Sequence, residues 1–104
     1  MLDNIDKTQG LAKLFLLAED EGEMSGLLHD LFTPSELTRA HERARIFACL
    51  QSGLTQRATQ RSTNAAIATV SHGAKYLRSS AQIIDEIVSY AQSLPWWPKL
   101  FGRI

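Results

Sequence analysis

The sequence is poor in the residues that do covalent or metal chemistry. It has one cysteine, Cys49, in 104 residues. No intrachain disulfide can therefore form, and nothing points to an oxidising compartment. A lone cysteine on a helix reads as a small buried hydrophobe. His29, His41 and His72 are far apart in sequence and lack paired-ligand spacing, so no metal is expected. There is no glycine-rich phosphate loop and no nucleophile elbow. Asp20-Glu21-x-Glu23 reads as a solvated helix end, so no catalytic residue is assigned and no enzyme is expected. No apolar run has the length of a membrane span. The polar, acidic start Met1–Gly10 does not resemble a secretory leader. The expectation is a cytoplasmic protein with no membrane partner. Strand signals are equally scarce, with no alternating stretch bounded by turn residues, no repeat and no low-complexity segment.

What is present suits one helical domain over residues 1–104. Apolar residues are 44% and charged residues 21% of the chain, ordinary for a globular protein. A monomer of this size buries only roughly two-thirds of its unfolded surface, which favours a homodimer. Net charge is zero but unevenly spread. Residues 1–38 set Lys7 and Lys13 against eight acids, a net of −6; residues 39–78 set seven basic residues against Glu42, a net of +6. That split predicts a basic surface for phosphates beside an acidic part that avoids them.

Periodicity and punctuation give six helices. The first is expected over about Asp3 to Glu21, with Leu11, Leu14, Phe15 and Ala18 at helical spacing. A short second helix after Gly22 holds Leu27, Leu28, Leu31 and Phe32. Thr33-Pro34-Ser35-Glu36 combines an N-cap, a proline for the first helical position and a capping-box glutamate. The third helix then runs to about Ser52, and Gly53 stops it. Thr55 caps a fourth, Gln56 to Ser62. Asn64 turns the chain into a fifth, Ala66 to Arg78. Ser79 and Ser80 can cap a sixth with an apolar face of Ile83, Ile84, Ile87, Val88 and Ala91, ended by Pro95. The tail, residues 95–104, carries Trp96-Trp97, read as a packing anchor or an aromatic patch for another protein.

Two short helices with a tight turn inside the basic segment, about residues 55–78, suggest a helix-turn-helix. The major groove, about 12 Å wide, admits one helix while the other crosses the phosphates. Gln56, Arg57, Gln60 and Arg61 put groups on the first helix that reach phosphates or base edges. The second helix begins with Ile67 and Ala68, which can approach thymine methyls closely. Ser71, Lys75 and Arg78 extend the polar, basic surface. Much of its specificity would be water-mediated or shape-based.

The segment Arg43-Ala44-Arg45-Ile46 through Leu50, then Gly53, Thr55-Gln56-Arg57, Ile67-Ala68-Thr69-Val70-Ser71-His72-Gly73 and Leu77-Arg78 resembles the tryptophan repressor family. The leading Thr33-Pro34 fits the same pattern, and the likeness covers about Leu31 to Arg78 with one residue fewer after Gly53. It implies an all-helical, six-helix intertwined homodimer on a double-stranded DNA operator. It also implies L-tryptophan or a related small aromatic effector, and no other cofactor, between the central helix and the second head helix. By position, Thr33 offers a hydroxyl to the ligand carboxylate. Arg43 lies against the ring, a contact worth about 0.5–2 kcal/mol. Gly73 leaves room for an indole, and Gln56, Arg57, Ile67, Ala68 and Ser71 face DNA.

Several positions depart from the family pattern. His72 replaces a ring-clamping arginine and holds a carboxylate poorly when neutral. Tyr76 replaces a serine and can fill part of the pocket, and Asp30 could meet an amine if it faces inward. Thr59 and Thr63 replace apolar residues of the first head helix, which is expected to pack weakly. Two functions follow: an effector-modulated repressor, or a dimer of the same fold that binds a protein or small aromatic ligand without reading DNA.

Overall fold

The computed structural model describes residues 5–79 and 82–96. Among these residues there are six α-helices and no strand. The expected starting residue Asp3, the capping residue Ser80, and the tail from Trp97 through Pro98, Lys99, Leu100 and Phe101 lie outside the described residues. The chain divides into two compact units, residues 1–38 and 39–104.

In the first unit, α1 (Lys7–Leu16) starts at a capping box. The Asp6 carboxylate accepts the Gln9 amide, and the Gln9 side chain returns to the Asp6 amide. The apolar stripe predicts a helix reaching Glu21, but α1 stops at Leu16. Asp20 begins a new helix by accepting the Glu23 amide at 2.9 Å, and Glu23 accepts the Glu19 amide at 2.8 Å. A local cap wins over a continuous apolar stripe because it satisfies donors that a helix start leaves open. Gly22 therefore sits inside α2 (Glu21–Leu31) and does not precede it. Phe32 leaves the helix as an extended residue and leans on Phe15, ring centres 6.4 Å apart. Neither α1 nor α2 buries a single residue. Leu16 and Leu17 stand 84% and 74% exposed.

The helix α3 (Pro34–Gln51) starts as expected. The Thr33 hydroxyl accepts the Glu36 amide at 3.1 Å, and the Glu36 carboxylate accepts the Thr33 amide at 2.8 Å. It ends in a Schellman motif: Gly53 has φ +95°, its amide reaches the Leu50 carbonyl, and the Leu54 amide reaches that of Cys49.

The second unit packs α4 (Gln56–Thr63), α5 (Ile67–Ser79) and α6 (Gln82–Ala91) with the α3 residues from Arg39 onward. Thr55 caps α4, accepting the Ala58 amide, and Asn64 closes it in the left-handed region at φ 58°. Two small cores result. Ile46, Ala65 and Val70 gather with Leu50; Ala48, Val88 and Ala91 gather with Ala44, Ile84 and Leu94. The helix α6 is complete at Ala91, before Pro95 is reached. Ile83, Ile87 and Tyr90 remain largely exposed, and Trp96 is 49% exposed.

The polar helix α4 is seated on the core, which corrects the expectation that Thr59 and Thr63 leave it weakly packed. Both threonines are buried, Thr59 completely. The Thr63 hydroxyl donates to the Thr59 carbonyl at 2.8 Å. From α3, half-buried Arg45 donates Nη2 to the Ser62 carbonyl at 3.0 Å. A cation at a helix C-terminus satisfies an orphan carbonyl and opposes the negative dipole end. Cys49 is fully buried nearby. Burial pushes its thiol up from the ordinary value, partly offset by a hydrogen bond with Ser62 and the Arg45 charge, so it is an inert filler.

Two seats are imperfect, since the Thr59 hydroxyl and Arg45 Nε are both buried without a partner. Thr59→Val should therefore stabilise the fold, because a buried unsatisfied hydroxyl costs about 1–3 kcal/mol. Thr63→Val removes a made hydrogen bond and should cost about 0.5–1.5 kcal/mol. Urea denaturation of both variants at one protein concentration checks this. A Thr59→Val midpoint at or below that of the parent contradicts it.

Candidate effector cavity and its helical surround

Arg43 of α3 and Gly73 of α5 line one cavity, beside the point where Gly73 meets Ile46. A Cβ built on Gly73 would stand 3.0 Å from Ile46 Cγ2 and 4.0 Å from Leu50 Cδ1. The missing side chain thus does first what the sequence reading did not foresee: it lets α5 approach α3. Beside this contact lies a cavity of about 460 Å³, walled by Arg43, Ile46 and Phe47 of α3 and Ala68, Thr69, His72, Gly73 and Tyr76 of α5. The volume is within the range of small-ligand pockets, roughly 300–1,000 Å³.

Helix geometry explains the set. Ile46 and Phe47 lie three and four residues beyond Arg43 and share its face. Ala68, Thr69, His72, Gly73 and Tyr76 repeat at three- and four-residue steps along α5. Arg43 is exposed. Its charge is permanent, and its planar guanidinium can lie on a ring or grip a carboxylate. The Tyr76 ring does not fill the space. It leans on Phe47, centres 6.1 Å apart at 48°, and is 45% exposed. Arg43, Phe47 and Tyr76 also border an adjoining apolar groove of about 550 Å³ with Ile83, Ile84 and Ile87 of α6.

Of the five expected ligand residues, Arg43, His72, Gly73 and Tyr76 line the cavity. Thr33 is not among its walls. It caps α3 in the first unit, its hydroxyl accepting the Glu36 amide and keeping its own proton for an acceptor. Asp30 lines a groove of the first unit with Leu14, Leu17 and Leu27, and is not among the walls either. The walls not expected from the sequence are Ile46, Phe47, Thr69 and Ala68, the last expected only to face DNA. The three- and four-residue spacing from Arg43 and His72 was the available signal.

The expected DNA-facing residues sit on α4 and α5. Arg57, Ile67, Ala68, Ser71, Lys75 and Arg78 are exposed; Gln56 and Gln60 are half-buried. The Ser71 hydroxyl donates to Gln56 Oε1 at 2.7 Å, tying the start of α4 to α5. Ala68 belongs to both the exposed start of α5 and the cavity wall. Among the described residues no cluster of three or more metal-ligating side chains occurs. No described helix is long and apolar enough to cross a membrane.

Because Ile46 is itself buried, Gly73→Ala should force it to move. Overpacking of this kind typically costs about 1–3 kcal/mol, against about 1 kcal/mol gained in helix propensity. A lowered melting temperature with unchanged helix content is expected. A clear rise would show that the crossing is loose.

No curated protein and no solved structure matches the chain. A family model described as Trp repressor protein matches residues 6–92. That stretch takes in all six helices, and the chain belongs to the Trp repressor protein family.

Proposed function

We propose that this protein is a DNA-binding transcriptional repressor that acts as a homodimer. Its operator affinity would be set by a small aromatic effector, L-tryptophan or a related indole. Family membership points to a DNA-binding regulator. The observation that carries the finer reading is the wall shared between cavity and head. The helix α5 contributes His72, Gly73 and Tyr76 to the cavity, while Ile67, Ala68 and Ser71 near its start are exposed. A ring wedged beside Arg43 would bias the position of α5 against α3. Ligand and operator binding would then be coupled, each strengthening the other by the same factor.

In this reading α4 and α5 form the helix-turn-helix. Gln56, bonded to Ser71, orients α4 while Arg57, Gln60, Lys75 and Arg78 meet phosphates and base edges. The net charge of +6 over residues 39–78 supports it. The dimer is supported by apolar surface that one chain leaves open, Leu16, Leu17, Ile83 and Tyr90 above all. Two heads would then meet half-sites about one helical turn apart.

Gel shifts on a selected palindromic duplex, with and without tryptophan and over a salt series, test the proposal. Affinity should fall steeply with salt. Arg57→Ala should weaken binding at every effector level by about 1–3 kcal/mol. Arg43→Ala should keep effector-free binding and lose the response to effector. DNA binding that is absent, or insensitive to salt, would favour the dimer that binds a protein or aromatic ligand without reading DNA.

A further inference from the structure

The hydrogen bond between Ser71 and Gln56 does more than tie two helices together. Gln56 is the first residue of α4, directly after its cap Thr55. Ser71 lies one turn into α5, four residues after Ile67. The packing of α4 on α5 brings the serine oxygen to 2.7 Å from Gln56 Oε1.

A serine hydroxyl has one proton to give; a glutamine amide has one accepting oxygen and two N–H donors. Here the serine proton goes to the glutamine oxygen. Each group is thereby left with one sense. Ser71 Oγ, its proton spent, keeps only lone pairs. The Gln56 amide holds its oxygen against α5 and has its N–H pair to offer. Nε2 is neither buried nor partnered among the described residues. An untied glutamine can turn either end outward, or present oxygen and amine side by side to an adenine. A tied one, already ordered before it binds, loses less freedom on meeting its partner.

We infer that Ser71 is a positioning residue that fixes the Gln56 amide, so that Gln56 meets DNA as a donor only and Ser71 donates nothing to DNA itself. This rests on the DNA-binding reading above and assigns the polarity of one contact within it. The partner of Gln56 is an acceptor: a phosphate oxygen, or the guanine edge with its N7 and O6, which share this chemistry. Adenine is disfavoured there, because glutamine reads it with oxygen and amine together.

A double-mutant cycle on a selected duplex at fixed salt, read by fluorescence anisotropy, tests this. Gln56→Ala should weaken binding roughly two- to tenfold, the worth of one hydrogen bond. Ser71→Ala should also weaken it, and the double variant should bind like Gln56→Ala alone. Ser71→Thr keeps the hydroxyl and should bind like the parent. Gln56→Glu still accepts the serine proton but has no N–H, and should bind no better than Gln56→Ala. Matching melting temperatures separate a lost contact from a lost fold. Single base substitutions and single methylphosphonate linkages then locate the acceptor, since Gln56→Ala should cost nothing further at the one base or linkage it meets. Unchanged affinity in Ser71→Ala, losses that multiply in the double variant, parental affinity in Gln56→Glu, or a located partner that is adenine each overturn the inference and leave the DNA-binding reading standing. A parent that binds no duplex overturns both.

Discussion

The close approach of α3 and α5 is the contact on which the rest of the molecule turns. It is set where buried Ile46 meets the bare backbone of Gly73. A side chain at position 73 would press on Ile46, which packs with Val70 and Ala65 in the first small core. The cavity lies beside this contact and is lined from the same two helices. Arg43 lies almost one turn before Ile46, and Tyr76 almost one turn after Gly73. Structural core and candidate site are thus neighbouring turns of the same helix pair, and whatever enters one is felt by the other.

Helix α4 is held by a different kind of bond. The helix α4 has a polar sequence, and its two buried residues are threonines. It is fastened by hydrogen bonds at both ends, Gln56 to Ser71 at its start and Ser62 to Arg45 at its close. Polar fastenings of this sort contribute little net stability each, about 0.5–1.5 kcal/mol, but they are directional.

Local chemistry made much of the fold legible in the sequence. Thr33-Pro34-Ser35-Glu36, Thr55 and Asn64 are caps whose partners lie within four residues, and each acts as its residue type predicts. Gly53 likewise takes the positive φ that ends α3. The break after Leu16 was missed because the run Leu14–Ala18 imitates a continuous stripe, while the decisive cap, Asp20, is an acid among acids. Thr59 and Thr63 were misread for a non-local reason. Their burial comes from packing within the second unit, where α3 also supplies Arg45 to the Ser62 carbonyl, and nothing near residue 59 announces that. The candidate site divides the same way. Arg43, His72, Gly73 and Tyr76 follow from a familiar spacing, whereas Ile46 and Phe47 become walls only once α3 and α5 are known to cross.

The exposed apolar surface constrains how such a chain can work. Helices α1 and α2 bury no residue, and α6 presents Ile83, Ile87 and Tyr90 outward. Apolar area left in water at about 25 cal/mol per Å² is a standing drive toward association. The groove bordered by Ile83 and Ile87 shares Arg43, Phe47 and Tyr76 with the cavity. Any second chain that covered this groove would therefore rest against the same three side chains that a ligand touches. Association and ligand binding would then act on common residues, so the affinity for effector could not be independent of the oligomeric state.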